Sequence, residues 1–205
     1  MKTVLQLNTS IFSNVGESTN LTNEFIENFR KENTDTKLIS RNLADNPVPH
    51  LTGQRFQAFL TKAEDRSLEQ QEVVDYSDNL IDEIRQADII VIGLPMYNFG
   101  IPSTLKSYFD HIARAGVTFK YTESGPVGLL LNKKVYVLAT RGGIYAGTPL
   151  DTQTSYVKDF LNFLGISDVE FIYAEGLAMG VENKETAISK AKSAIRSLTD
   201  EKLAA

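Results

Sequence analysis

The chain has 205 residues, 42% hydrophobic and 23% charged, which suits one globular domain. Its 21 basic and 26 acidic residues give a formal charge of −5 with no long basic run, which excludes nucleic acid and anionic membrane surfaces as main partners. The absence of cysteine rules out disulfides and thiol chemistry, and two distant histidines, His50 and His111, predict no metal site.

Residues 3–7, Thr-Val-Leu-Gln-Leu, read as a short buried strand, too short an apolar run for a signal peptide. After a polar loop over 8–19, Leu21, Phe25, Ile26 and Phe29 recur at helical spacing and predict an amphipathic helix over 20–31. A second strand is predicted over 37–42. Asn46-Pro-Val-Pro49 breaks the pattern, and a polar, helix-prone stretch covers 52–86 with Val73, Tyr76, Leu80 and Ile84 on one apolar face. The clearest strand spans 88–94, and helical spacing returns at Leu105, Tyr108, Phe109 and Ile112. Residues 116–132 read as an excursion from the core. A fourth strand over 134–140, a helix over 152–164 ending at Gly165, a fifth strand over 168–174 and a helix over 183–198 complete the order. No stretch approaches the roughly 20 apolar residues of a membrane span, so a cytoplasmic protein is expected.

Almost continuously apolar strands separated by helices indicate a parallel sheet covered on both faces. Five strands suit a doubly wound α/β domain in the order 2-1-3-4-5, spanning 1–205 with insertions near 51–70 and 116–132. Such sheets bind ligands beyond the carboxyl ends of the strands where the winding reverses. Here that point lies between strands one and three, which selects loops 8–19 and 94–100.

The first loop carries Thr9, Ser10, Ser13, Ser18 and Thr19 and leads into a helix. Hydroxyls at a helix start suit a phosphate monoester; they equally suit plain capping by Ser18, Thr19 or Asn20. No Walker P-loop and no G-x-G-x-x-G follows the first strand, which argues against a P-loop nucleotidase and a dinucleotide fingerprint. In the third loop, Pro95-Met-Tyr-Asn-Phe-Gly100, flat and polarizable side chains combine with backbone amides, between stiffening prolines Pro95 and Pro102. This loop can lie along a planar heteroaromatic ring, or fold back as a satellite core or subunit contact. In Thr140-Arg-Gly-Gly143 the glycines permit close backbone approach. Arg141 either offers charge to a ring that becomes anionic on reduction or is a surface charge.

Together Asn8-Thr-Ser10, Pro95-Met-Tyr-Asn-Phe99, Ala113-Arg-Ala-Gly-Val-Thr-Phe-Lys-Tyr121, Thr140-Arg-Gly-Gly143, Phe160-Leu-Asn-Phe-Leu-Gly165 and Ala174-Glu-Gly176 resemble the bacterial FMN-dependent NADH-azoreductases, also described as FMN-dependent NADH:quinone oxidoreductases. The resemblance runs over nearly the whole chain. It implies a flavodoxin-like homodimer with one FMN per subunit at the interface. It places Ser10, Gly16, Glu17 and Ser18 at the FMN phosphate, Met96, Tyr97, Asn98 and Phe99 along the ring, and Thr140, Arg141, Gly142 and Gly143 at its other edge. Phe99, Tyr121, Tyr145 and Phe163 would line the substrate space, with the partner chain contributing. Two departures stand out: Gly16-Glu17-Ser18 where relatives often have Ser-x-Ser, and Tyr145 where some carry histidine. Glu17 must then point away from the phosphate.

No catalytic side chain is required by this reading, because the flavin carries the redox chemistry. NADH and then a quinone or azo acceptor would use one ring face in turn, implying ping-pong kinetics and loose selection of flat aromatics. The alternative is a flavodoxin-like FMN electron carrier without its own small-molecule acceptor. A serine hydrolase finds little support: Gly16-Glu-Ser-Thr-Asn20 lacks the second glycine of G-x-S-x-G, and any triad would need His50 or His111.

Overall fold

Apolar side chains alternate along the strands and feed two cores, one on each face of a single parallel sheet. The computed structural model describes residues 1–201; residues 202–205 of the expected 1–205 domain lie outside that range. The strands of this sheet are β1 (Lys2–Asn8), β2 (Thr36–Asn42), β3 (Ile89–Pro95), β6 (Lys134–Thr140) and β7 (Asp168–Ala174), in the order β2-β1-β3-β6-β7, all parallel. Counted within this sheet alone, that is the expected 2-1-3-4-5.

Leu5, Leu7, Ile90, Ile92, Val135 and Val137 face one side, where α3 (Leu68–Gln86), α4 (Ser103–Ile112) and α5 (Thr152–Phe163) bring Leu80, Ile84, Leu105, Phe109 and Leu161. Val4, Val91, Tyr136, Leu138 and Ile172 face the other, covered by Leu21, Phe25 and Phe29 of α1 (Glu17–Glu32) and Ile195 of α6 (Val181–Glu201). Removing this apolar area from water is what drives both layers onto the sheet. Gln6 and Asn8 interrupt the apolar run of β1, yet both are buried. Thr22 and Asn23 of α1 satisfy them: Gln6 Nε2 donates to Thr22 Oγ1 at 3.1 Å and Asn23 Oδ1 at 2.8 Å, and Thr22 Oγ1 donates to Asn8 Oδ1 at 2.6 Å. This polar seam fixes the start of α1 over the carboxyl end of β1. Gly93 lets it come close, since a Cβ there would stand 3.1 Å from both Ser18 O and Thr22 Cγ2.

The helix expected over 20–31 begins three residues earlier, at Glu17, so Ser18, Thr19 and Asn20 lie inside it. The stretch expected to be helical over 52–86 is broken into α2 (Gly53–Leu60), a single 3-10 turn at Ala63–Asp65, and α3. A capping box causes the second start: Ser67 Oγ accepts from Gln70 N–H while the Gln70 side chain accepts from Ser67 N–H. The α3 stripe is also shifted, because Val74 and Ser77 are buried with Leu80, Ile81 and Ile84, while Val73 and Tyr76 are only half-buried. The excursion at 116–132 forms an antiparallel hairpin of β4 (Phe119–Thr122) and β5 (Gly125–Gly128). Its base is not peripheral. Phe119 and Leu130 join the core, and Leu130 N–H donates to Leu164 O at 2.9 Å. Among the described residues no helix is long and apolar enough to cross a membrane.

Candidate functional site

Because β1, β3 and β6 are neighbours, their carboxyl-terminal loops leave the sheet side by side. In the first loop, Thr9 Oγ1 donates to Gly93 O at 2.6 Å and locks the loop to β3. Ser10 Oγ accepts from Phe12 N–H at 3.2 Å and lies 3.3 Å from the Tyr97 hydroxyl, which also accepts from Ile11 N–H at 3.2 Å. Tyr97 of the third loop thus ties that loop to the first. At Gly16 a Cβ would stand 2.2 Å from Ser10 Oγ and 2.6 Å from Ser10 Cβ, so the chain passes Ser10 only as glycine.

The start of α1 has no side-chain cap: its N-cap is Gly16, and Ser18 and Thr19 keep fully buried hydroxyls without a partner. This overturns the capping reading of those residues. Three first-turn N–H groups and the helix dipole make this end of α1 a favourable place for an anion. The Glu17 carboxylate pairs with Lys184 of α6, with Nζ 2.5 Å from Oε1. Exposed Ile11, Phe12 and Val15 form an apolar rim on the same loop, which the sequence reasoning did not single out.

Residues 97–100 form a tight two-residue turn, with Tyr97 N–H donating to Gly100 O at 3.1 Å and Gly100 N–H to Tyr97 O at 2.9 Å. Both central residues are left-handed, Asn98 at φ 50° and Phe99 at φ 62°. Such a turn ordinarily takes Asn-Gly, and a bulky residue there costs about 1–3 kcal/mol. Three bonds from α5 hold it: Gln153 Nε2 donates to Pro95 O and Gly100 O, each at 2.9 Å, and Thr152 Oγ1 donates to Phe99 O. Met96 and Tyr97 are half-buried, whereas Asn98 and Phe99 are exposed. The loop is therefore neither folded back into a core nor free to move.

Arg141 is neither a surface charge nor free to face a ligand. Its side chain is fully buried, Nη2 lies 2.7 Å from Asp151 Oδ1, and Nη1 lies 3.1 Å from Glu175 Oε1. The guanidinium also stacks over Tyr173, 5.0 Å from the ring centroid. One cation against two carboxylates leaves no positive charge to offer. Burial would raise the Asp151 carboxyl, but hydrogen bonds from Arg141 and Thr154 outweigh it and hold the group below the usual carboxylate range. Glu175 Oε1 accepts in addition from Tyr145 N–H at 2.8 Å and Ala146 N–H at 2.9 Å, so this buried pair shapes the whole 141–146 loop. Thr140 is buried, Gly142 is open, and the Tyr145 ring lies over Gly143, where a Cβ would stand 2.7 Å from its hydroxyl. That ring meets Phe99 edge-on at 5.6 Å. Asp151, Gln153, Glu175 and Lys184 were missed by the sequence reasoning; the Glu-Gly of Ala174-Glu-Gly176 was the one available signal.

The four expected acceptor-pocket aromatics do not meet within one chain. Phe99 joins Tyr145 and lines a hollow of about 510 Å³ with His50, Lys106, Ser107 and Tyr156. Tyr121 edges a different hollow of about 380 Å³ with Phe56, Leu60 and Ala113. Phe163 belongs with it through Phe119, whose ring lies 4.3 Å from Phe163 and 5.6 Å from Tyr121. Neither histidine reaches the serines of the first loop. His50 Nδ1 lies 3.1 Å from Ser107 Oγ, and His111 is buried with Nδ1 2.9 Å from Ser107 O and rings edge-on from Phe59 and Tyr76.

A family model described as flavodoxin-like fold matches residues 2–198. The FMN-dependent NADH:quinone oxidoreductase of Cellvibrio japonicus is 58% identical over 192 residues, covering 94% of this chain and 96% of that one. Its counterpart in Alteromonas mediterranea is 52% identical, covering 97% and 99%. The chain belongs to the family of FMN-dependent NADH:quinone oxidoreductases. Solved structures place this quinone oxidoreductase family member near an azoreductase from Bacillus anthracis, with a TM-score of 0.89 at 26% identity and coverage of 98% and 100%. An FMN-dependent NADH-azoreductase from the same organism, solved in complex with FMN, gives 0.86 at 29% identity, covering 98% of this chain and 100% of that one.

Proposed function

We propose that this protein is an FMN-dependent NADH:quinone oxidoreductase that also reduces aromatic azo compounds. The observation that carries the reading is the uncapped start of α1, with two buried, partnerless hydroxyls, placed beside the strained and clamped 95–100 loop. A phosphate there would gain first-turn N–H groups and the Ser18 hydroxyl, with Ser10 packed closely against Gly16 alongside. Backbone is what Glu17 would contribute, and the Arg141 charge is taken by Asp151 and Glu175, leaving its buried Nε–H without a partner. Met96, Tyr97, Asn98 and Phe99 would hold one side of the flavin ring, and Thr140, Gly142 and Gly143 its other edge. FMN, when bound, would supply the redox chemistry between NADH and the acceptor.

The chain's own work is orientation and exclusion of water. Phe99 and Tyr145 offer flat apolar surface for NADH and for the acceptor in turn, so the two share one face. The separation of Tyr121 and Phe163 from Phe99 supports a homodimer in which the partner's hairpin completes the pocket. In that reading the protein is a single, cytoplasmic, flavodoxin-like domain, and its insertions near 51–70 and 116–132 serve the interface. A bare FMN electron carrier has less need of the insertions near 51–70 and 116–132. Initial rates of NADH oxidation with a quinone, without a protein partner, test both points. Parallel double-reciprocal lines are expected; intersecting lines would remove the shared face, and no turnover would favour the carrier.

A further inference from the structure

Resting on the placement of the FMN phosphate at the start of α1, we propose that Lys184 is a positioning residue for the cofactor, holding the Glu17 carboxylate away from the phosphate seat. Glu17 is the first residue of α1. Its carboxylate therefore competes with a bound phosphate for the positive end of one helix, and the two negative groups repel each other. Lys184 removes the carboxylate from that competition, with Nζ 2.5 Å from Glu17 Oε1.

Helix energetics do not explain a lysine at that position. Lys184 stands in the first turn of α6, its N–H donating to Gly180 O at 3.1 Å, where the dipole disfavours a cation. Nor does folding stability explain it, because the two side chains are 46% and 32% exposed and such pairs add little. What the pair does control is the charge facing an anion at the first turn.

The same two helices supply a control. Lys192 Nζ lies 3.3 Å from Glu24 Oε2, joining α6 to α1 about two turns further along. That is roughly 10 Å of helix, about one Debye length in ordinary buffer. Lys192 shares the bridging role of Lys184 but not its closeness to the phosphate seat.

Titration of the full-length protein with FMN and with riboflavin, which lacks the phosphate, separates positioning from packing. Lys184→Gln is expected to weaken FMN about 3- to 10-fold at low salt, an effect that added salt shrinks, while riboflavin binding stays unchanged. Lys192→Gln is expected to alter neither ligand, and Glu17→Gln combined with Lys184→Gln to restore FMN binding. If Lys184→Gln weakens both flavins alike, or Lys192→Gln matches it, the pair only holds helices together and the proposal falls. Wild-type preference for FMN with no response to Lys184→Gln overturns this proposal alone. Wild-type protein that fails to distinguish FMN from riboflavin overturns the phosphate placement, and the proposal with it.

Discussion

Phe99 keeps an aromatic ring where the backbone asks for glycine, at φ 62° and half exposed. A residue held against that strain is retained for what its side chain touches rather than for the fold. Phe99→Gly relieves the strain but adds chain entropy, so stability in denaturant should stay within about 1 kcal/mol of wild type. FMN affinity and quinone KM should both worsen. A stability loss near 3 kcal/mol, the cost of removing a core phenylalanine, would show the ring to be structural instead. Asp151 gives a second test at this scale. Its carboxyl is held below the ordinary value of 3.8, so its contribution is complete above that pH and is lost as pH falls through the lower folded value. Asp151→Asn should flatten the acid limb of the stability profile below about pH 4; an unchanged limb would mean that other carboxylates set it. Arg141 shows why such roles were illegible in the sequence. Its partners lie 10 and 34 residues away: Asp151 stands at the N-cap of α5, and Glu175 comes alongside because β6 pairs with β7.

The central strands β1, β3 and β6 were the most legible elements, because a strand buried on both faces must be almost continuously apolar. The order and switch point of the five-stranded sheet followed from the doubly wound topology that such strands imply, whereas the β4-β5 hairpin was not read as strands. Helix starts were less legible. The loop into α1 offers Ser18, Thr19 and Asn20 as caps, whereas the helix starts from Gly16 with no side-chain cap bond. On α3 a polar residue occupies a core position: Ser77 Oγ donates to His111 O at 2.6 Å, which moves the buried stripe off the apolar pattern. The break before α3 was written in Ser67-Leu-Glu-Gln70 as a capping box. The hairpin bearing Tyr121 makes the element-scale prediction. At Gly128 a Cβ would stand 2.0 Å from Gly165 N, a backbone atom that cannot rotate away. Gly128→Ala should cost about 1–3 kcal/mol and raise quinone KM by displacing Tyr121, with FMN affinity preserved. An FMN affinity that falls in parallel would show that the hairpin supports the cofactor directly.

On the scale of the whole molecule, one chain holds the proposed cofactor loops and a different hollow holds Tyr121 with Phe163 nearby. If partners exchange these aromatics, two defective chains can complement. Ser18→Asp protein, blocked at the phosphate, mixed with Tyr121→Ala protein should form heterodimers with one intact site and regain quinone reduction. Mixing without gain would mean that each chain uses its own Tyr121. The most direct test of the central claim is the absorption spectrum of the purified chain supplied with FMN. A bound-flavin spectrum that bleaches with NADH, returns with a quinone, and is lost in the Ser18→Asp variant is the predicted result. FMN that stays free in solution, or binds Ser18→Asp as well as wild type, would contradict it.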